Sequence, residues 1–235
     1  MKKLVSDKEA WEGHADCLSC TLRNSVLFSG LDESEFENIH QPIDLYTLPP
    51  GSVLYRAGDE GERLFTIRSG VLKLVQYLPD GTQRIVRLIR STDVIGLETL
   101  LGQPYQHDAV VLQSTEACSL PVSVVQALSQ SNPKLHKELL NRWQKALVEA
   151  DAWLTELSTG SAKQRVARLL LRLVRDEATS QCTLFPREDM GAMLGITTET
   201  ASRTIAEFKR KSLLIETKPN SFLLDIRNLE HIADG

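Results

Sequence analysis

The chain has 235 residues, 42% hydrophobic and 25% charged, with 27 Lys+Arg against 31 Asp+Glu. This is a globular composition with room for one large or two small domains. It has no apolar run of about 18 residues to span a membrane. The start, MKKLVSDKEAWEGHADC, has two lysines but no apolar stretch of a secretory signal, so a cytoplasmic protein is expected. A net charge of −4 disfavours a general polyanion binder, but the sign is uneven. From Ser158 onward there are 12 Lys+Arg against 10 Asp+Glu, net +2, and the remainder carries 15 against 21, net −6. An acidic body with a mildly basic module fits that split.

In chain order, residues 1 to 40 read as a short arm ending in a small amphipathic helix, LDESEFENI. From about 43 to 122, short β-rich runs (SVLYRA, RLFTIRSG, VLKLVQYL, QRIVRLI, AVVLQST) are separated by PPG, AGDEG, RSG, PDG and GQP, which predicts an antiparallel sandwich or roll. PDGT predicts a hairpin. From Val122 the pattern turns helical. Leu139, Trp143, Ala146, Ala150, Trp153 and Leu157 recur every three or four residues, with Leu140, Leu147 and Leu154 widening the seam. Such a seam lies on its own domain's core or packs against its copy in a second subunit, and two tryptophans on a long helix favour the homodimer.

SAKQRVARLLLRLVRDEA predicts another helix, followed by a short strand at CTLFP, a helix at REDMGAMLG ending at Gly195, a turn and helix at ITTETASRTIAEFKRKSLL, and a hairpin at IETKPNSFLLDI. Helix, glycine turn, helix and hairpin make a winged helix-turn-helix. Met190, Leu194, Ile196, Ala201, Ile205 and Phe208 are its expected buried face, and Gly191 and Ala192 allow a close crossing. The other face presents Thr198, Glu199, Ser202 and Arg203. Arginine can grip guanine O6 and N7, and glutamate can accept from cytosine N4. Thr197, Thr200 and the helix N-terminus can hold phosphates of double-stranded DNA. Lys209, Arg210 and Lys211 suit its backbone. Glu199 and Arg203, four apart, also fit a plain surface ion pair; within a complete winged helix-turn-helix, DNA reading is favoured.

The whole chain, from LPPGSVLYRAGDEGERLFTIRSGVLKL through the long helix to the winged head, resembles the CRP/FNR superfamily of bacterial transcription regulators, on its FNR-like branch. The expected fold is α+β: an arm and antiparallel β-roll of the cyclic-nucleotide-binding kind over 1–130, a dimerisation helix over 131–158, and the winged head over 159–235. ETASR, Glu199 to Arg203, is similar to the FNR-type recognition signature, which implies dimers on a palindrome close to TTGAT-N4-ATCAA. Pro186 departs from the pattern, standing where relatives often place a Ser or Thr cap; proline is tolerated in a first helical turn.

The family's cAMP binders carry Gly-Glu and, eleven residues past the glycine, Arg-Ser. Here Gly96 is followed by Leu97, and His107-Asp108 replace Arg-Ser. Asp108 repels an anionic phosphate and a neutral His107 offers it little, which disfavours cAMP. FNR-type sensors instead hold an iron–sulfur cluster (4Fe-4S) on C-x2-C-x5-C plus a distant cysteine. Cys17, Cys20 and Cys118 match three positions, Val26 stands at the fourth, and His14 is the nearest substitute ligand. The alternatives are a thiol switch between Cys17 and Cys20 or to Cys118, a structural set, another small effector in the roll, zinc on His14 and three cysteines, or noncovalent haem. Cys182 reads as a buried apolar residue.

No P-loop, Gly-x-Ser-x-Gly or His-Glu-x-x-His motif supports an enzyme. The resemblance implies a two-state mechanism in which the sensor's state sets how the dimer helix spaces two reading heads, with RNA polymerase as the partner in activation.

Overall fold

The computed structural model describes residues 43–174 and 180–235. Cys17, Cys20, His14 and the helix expected at LDESEFENI lie outside the described residues. These fall into two compact units, 43–76 with 87–148 and 77–86 with 149–235, the division passing between Val148 and Glu149.

The N-terminal strands are β1 (Asp44–Leu48), β2 (Val53–Tyr55), β3 (Arg63–Tyr77), β4 (Gln83–Ile89), β5 (Val94–Ile95) and β6 (Asp108–Pro121), all within the first unit except residues 77–86. They form one sheet in the order β1-β6-β3-β4, with β2 paired on β6 and β5 on β3. Along β6, Ala109, Val111, Thr115, Ala117 and Ser119 are buried, the period of two expected for a strand with one face on a core. Two strands were expected at RLFTIRSG and VLKLVQYL; the structure has one, β3, because Arg68-Ser69-Gly70 is a bulge and not a turn. Register slips occur between Ile67 and Ser69 and between Ser69 and Val71. Gly70 sits at φ +88 with the β6 backbone so close that an added Cβ would lie 2.3 Å from the Ser114 carbonyl oxygen, a close approach open only to glycine. The PDGT hairpin forms as expected, with Leu78 N–H on the Thr82 carbonyl at 2.9 Å.

After β6 come α1 (Val122–Ser131) and α2 (Pro133–Ala152). Asn132 caps α2 by accepting from the N–H groups of Lys134 and Leu135 at 2.9 and 3.0 Å, with Pro133 at the first helical position, where its missing N–H costs nothing. Leu135 and Leu139 close a core with Ile43, Leu64, Val94, Leu97, Leu120, Val122 and Val125.

The second unit continues α2 through a π-helical turn (Trp153–Leu157) into α3 (Ala162–Leu173), β7 (Gln181–Thr183), α4 (Arg187–Leu194), α5 (Thr198–Arg210), β8 (Leu214–Lys218), β9 (Ser221–Leu224) and α6 (Ile226–Asp234). The strands pair in the order β7-β9-β8. Helix α3 starts on a reciprocal capping box between Ser161 and Gln164 and buries Val166, Leu169, Leu170 and Leu173, the face its sequence period predicts. Helix α6 was not foreseen. Asp225 caps it by accepting from the Asn228 N–H at 3.2 Å, and the cap followed by Leu229 and Ala233 at helical spacing was the signal available.

Candidate nucleic-acid interface

Helices α4 and α5 meet at a tight turn. Gly195 ends α4 in the left-handed region at φ 63. An added Cβ on Gly191 would come within 2.7 Å of the Ile196 carbonyl oxygen, so the helices cross where only glycine fits. Met190, Leu194, Ala201, Ile205 and Phe208 are buried, Ile196 half-buried. Pro186 precedes α4 without a side-chain cap, and Thr197 caps α5 by accepting from the Thr200 N–H at 3.1 Å.

That buried face fixes what α5 shows to solvent. Thr197, Thr198, Glu199 and Arg203 are exposed, and Thr200 and Ser202 are half-buried. Glu199 and Arg203 approach to 3.3 Å with 76% and 73% of their side chains exposed. In water such a pair is worth a few tenths of a kcal/mol, so it holds neither group back from a ligand. Thr197 and Thr200 also touch through their hydroxyls at 2.9 Å. Ala206, exposed one turn beyond Ser202 and Arg203, belongs to the same face and was overlooked, although its helical spacing marks it; it can contact a thymine methyl.

The basic run is less open than its sequence suggests. Lys209 is held by Glu216 at 2.8 Å and lies over the Phe222 ring at 4.7 Å. Lys211 and Lys163 both bond Glu207, at 2.9 and 2.8 Å, and this pair of ammonium groups pulls the Glu207 carboxyl down to about 2.

In the roll, the loop from β5 to β6 folds onto its own chain. The Asp108 carboxylate accepts from the Ala57 N–H at 2.8 Å and faces Arg56 at 3.8 Å. Glu98 accepts from the Gln106 N–H. Burial first, then the nearby Arg87, keep the His107 imidazole below the usual histidine range, so it brings no cation to a phosphate at neutral pH. The Tyr55 and Tyr105 rings stack 3.9 Å apart at 11°, and the Tyr105 hydroxyl donates to the Arg63 carbonyl at 2.6 Å.

Cys118 pairs with Leu45 of β1 and Thr66 of β3 and packs half-buried against the core that contains Ile43, the first described residue. Cys182 is buried in β7, and burial pushes its thiol up to about 11, an inert apolar setting. Among the described residues no group of three or more His, Cys, Asp or Glu side chains is arranged to hold a metal ion, and no helix is long and apolar enough to cross a membrane.

The six seam positions of the long helix separate by face. Leu139 and Leu157 are buried within the chain itself, Ala146 and Trp153 are half-buried, and Trp143 and Ala150 are exposed. The open apolar stripe runs instead through Leu140, Trp143, Leu147, Ala150 and Leu154, with Leu140, Leu147 and Leu154 at 56%, 57% and 66% exposure.

Comparison with known proteins agrees with this architecture. Residues 46–132 match the family of cyclic nucleotide-binding domains and 164–232 the Crp-like helix-turn-helix domain. The chain is 28% identical over 207 residues to the fumarate and nitrate reduction regulatory protein of Vibrio cholerae, covering 84% of this chain and 82% of the relative. It is 25% identical over 228 residues to the transcriptional activator protein anr of Pseudomonas aeruginosa, covering 94% and 93%. The solved structure of FixK2 from Bradyrhizobium japonicum superposes with a TM-score of 0.74 at 21% identity, covering 81% of this chain and 96% of that one. With a roll, a long helix and a winged head in this order, and regulators rather than enzymes as relatives, the chain belongs to the CRP/FNR family of DNA-binding transcription regulators.

Proposed function

We propose that the protein acts in the cytoplasm as a homodimer that reads an FNR-like palindrome and responds to oxygen or redox state. The observation that carries the DNA reading is the open face of α5, where Thr198, Glu199, Ser202, Arg203 and Ala206 stand on a helix start rigidly set by Gly191 and the Thr197 cap. The stripe from Leu140 to Leu154 supports the dimer: three leucines this exposed on one helix face suit a second copy of the same helix. RNA polymerase is the partner at the promoter.

For the signal, the donor set fits an iron–sulfur cluster (4Fe-4S) in part. Cys118 is half-buried against the core that includes Ile43, the first described residue, and 22 residues lie between Cys20 and Ile43, ample length to bring Cys17, Cys20 and His14 to Cys118. Cys182, held as a thiol, is no ligand candidate. Cys17, Cys20 and Cys118 with His14 would hold the group, which when bound supplies oxygen-labile redox chemistry. The relatives named for fumarate and nitrate reduction and as anr give the same direction. The roll's loop, with the Asp108 carboxylate already accepting from Ala57 and a neutral His107, is a poor host for a cyclic phosphate.

Arg203→Ala tests the DNA reading. Loss of about 1–3 kcal/mol of discrimination against the mismatched base at one position of each half-site is expected; unchanged affinity and specificity overturn it. For the signal, protein purified without oxygen should be brown, carry iron and sulfide, bleach in air, and lose all three in Cys20→Ser. A colourless, iron-free protein moves the signal to a thiol switch or another effector in the roll.

A further inference from the structure

The linker STGS, residues 158–161, looks from its composition like a free joint between the long helix and the DNA-reading head. Its surroundings are otherwise. The helix does not end at Ala152 but widens into the π-helical turn, whose last residue, Leu157, is fully buried. The Thr159 hydroxyl donates back to the Thr155 carbonyl, and the Thr155 hydroxyl to that of Asp151 at 2.9 Å. Gly160, at φ +83, lies where an added Cβ would meet Gln164 Oε1 at 2.8 Å and Arg168 Nη1 at 3.5 Å. Gln164 Oε1 in turn accepts from the Ser161 N–H at 2.7 Å.

One guanidinium gathers these pieces. Arg168, on α3, donates from Nη1 to the carbonyls of Glu156 and Thr159, each at 3.0 Å. From Nε and Nη2 it donates to the Ala233 carbonyl in the last turn of α6, at 2.9 and 2.7 Å. Three carbonyls from three segments thus share one planar fork, and helix-end carbonyls are the ones lacking an intrahelical partner. A turn further along α3, Arg172 binds the Glu156 carboxylate at 2.8 Å, holding that carboxyl below the usual range. The division between the two units falls upstream of all of this, at Val148–Glu149.

We propose that Arg168 is a positioning residue for DNA recognition: it welds the end of the dimer helix to the reading head as one body, so that the spacing between the two α5 helices of a dimer is set rigidly by the helix pair. It touches no base or phosphate and acts through the carbonyls of Glu156, Thr159 and Ala233. This rests on the homodimer–palindrome reading above.

The test is full-length protein titrated onto palindromes whose central spacer is lengthened or shortened by one and two base pairs, and onto a single half-site. One base pair turns a half-site by roughly a tenth of a helical turn, so wild type should prefer one spacer by about ten-fold or more. Arg168→Ala should flatten that preference to within about three-fold while single half-site affinity stays within about two-fold. Arg168→Lys, which cannot reach three carbonyls with one fork, should behave like the alanine variant. A wild-type spacer profile in Arg168→Ala overturns the proposal. Amide hydrogen exchange separates the remaining cases: faster exchange confined to residues 156–161 in Arg168→Ala supports the weld, and unchanged exchange there overturns it. A wild type with no spacer preference sinks the palindrome reading and leaves the weld to be decided by that exchange. Should Arg168→Ala unfold, with exchange rising across 149–235, Arg168→Lys repeats the measurement, and a wild-type spacer profile together with wild-type 156–161 exchange in that variant overturns the weld.

Discussion

In the roll's loop between β5 and β6, the polar groups are consumed by the chain itself: Asp108 by the Ala57 N–H, Glu98 by Gln106, the Tyr105 hydroxyl by Arg63, with Tyr55 stacked on Tyr105. On α5 the opposite holds. Glu199 and Arg203 meet only each other, across one turn, with about three quarters of each side chain in water. Both stretches are rich in charged and hydrogen-bonding residues, and composition does not separate them. What separates them is where each donor and acceptor finds its partner. A polar group satisfied inside the chain loses that bond if a ligand takes it, whereas an exposed one exchanges only water for the ligand. The roll's loop is closed on itself, and the α5 face is open to water.

Three measurements break or sharpen that contrast. The largest effect is expected from Phe208→Ala, which empties the anchor holding the open face of α5 in place. Phe208 is 1% exposed, and its truncation should cost about 3–5 kcal/mol in denaturant unfolding of the head; a loss under about 1 kcal/mol would mean that the open face is not set by its buried one. Next comes Asp108→Ala, which strands the Ala57 N–H. A loss of about 1–3 kcal/mol from the roll with DNA affinity untouched is expected, and a neutral result would show that the loop is not held closed by its own carboxylate. The smallest is an acid effect at Glu207. Its carboxyl falls from 4.5 to about 2 in the fold through Lys163 and Lys211, so its contribution is present above pH 4.5 and lost as the pH drops towards 2. Glu207→Gln should therefore flatten the fall in stability with pH across that window, and an identical acid limb in the variant would show that the two lysines do not stabilise the carboxylate.

The reading head was legible because helix period, glycine and cap are local signals. Met190, Leu194, Ala201, Ile205 and Phe208 at helical spacing fixed one face, and the face opposite followed from geometry alone. The bulge at Arg68-Ser69-Gly70 was not legible, since a glycine between two apolar runs signals a turn equally well until the neighbouring strand's carbonyl is known to lie against it. The lysines after Ile205 were legible as charges but not as partners of Glu207 and Glu216, which come from α5 itself and from β8.

By itself the sequence determined the order of roll, long helix and winged head, which face of α5 stays open to water, and the mismatch at Leu97, His107 and Asp108 with a cyclic-phosphate site. All of these depend on residue type at short spacing, where backbone geometry is already given by the element. Only the tertiary structure decided which side of the long helix is open. Leu139 and Leu140 are neighbours with the same side chain, and the sheet of the roll covers one of them and leaves the other in water. It also decided that the glycine linker is fastened and not free, because the three carbonyls that Arg168 gathers are drawn from positions 156, 159 and 233. No local pattern can report that these three meet, because their proximity exists only once α3 and α6 have packed together.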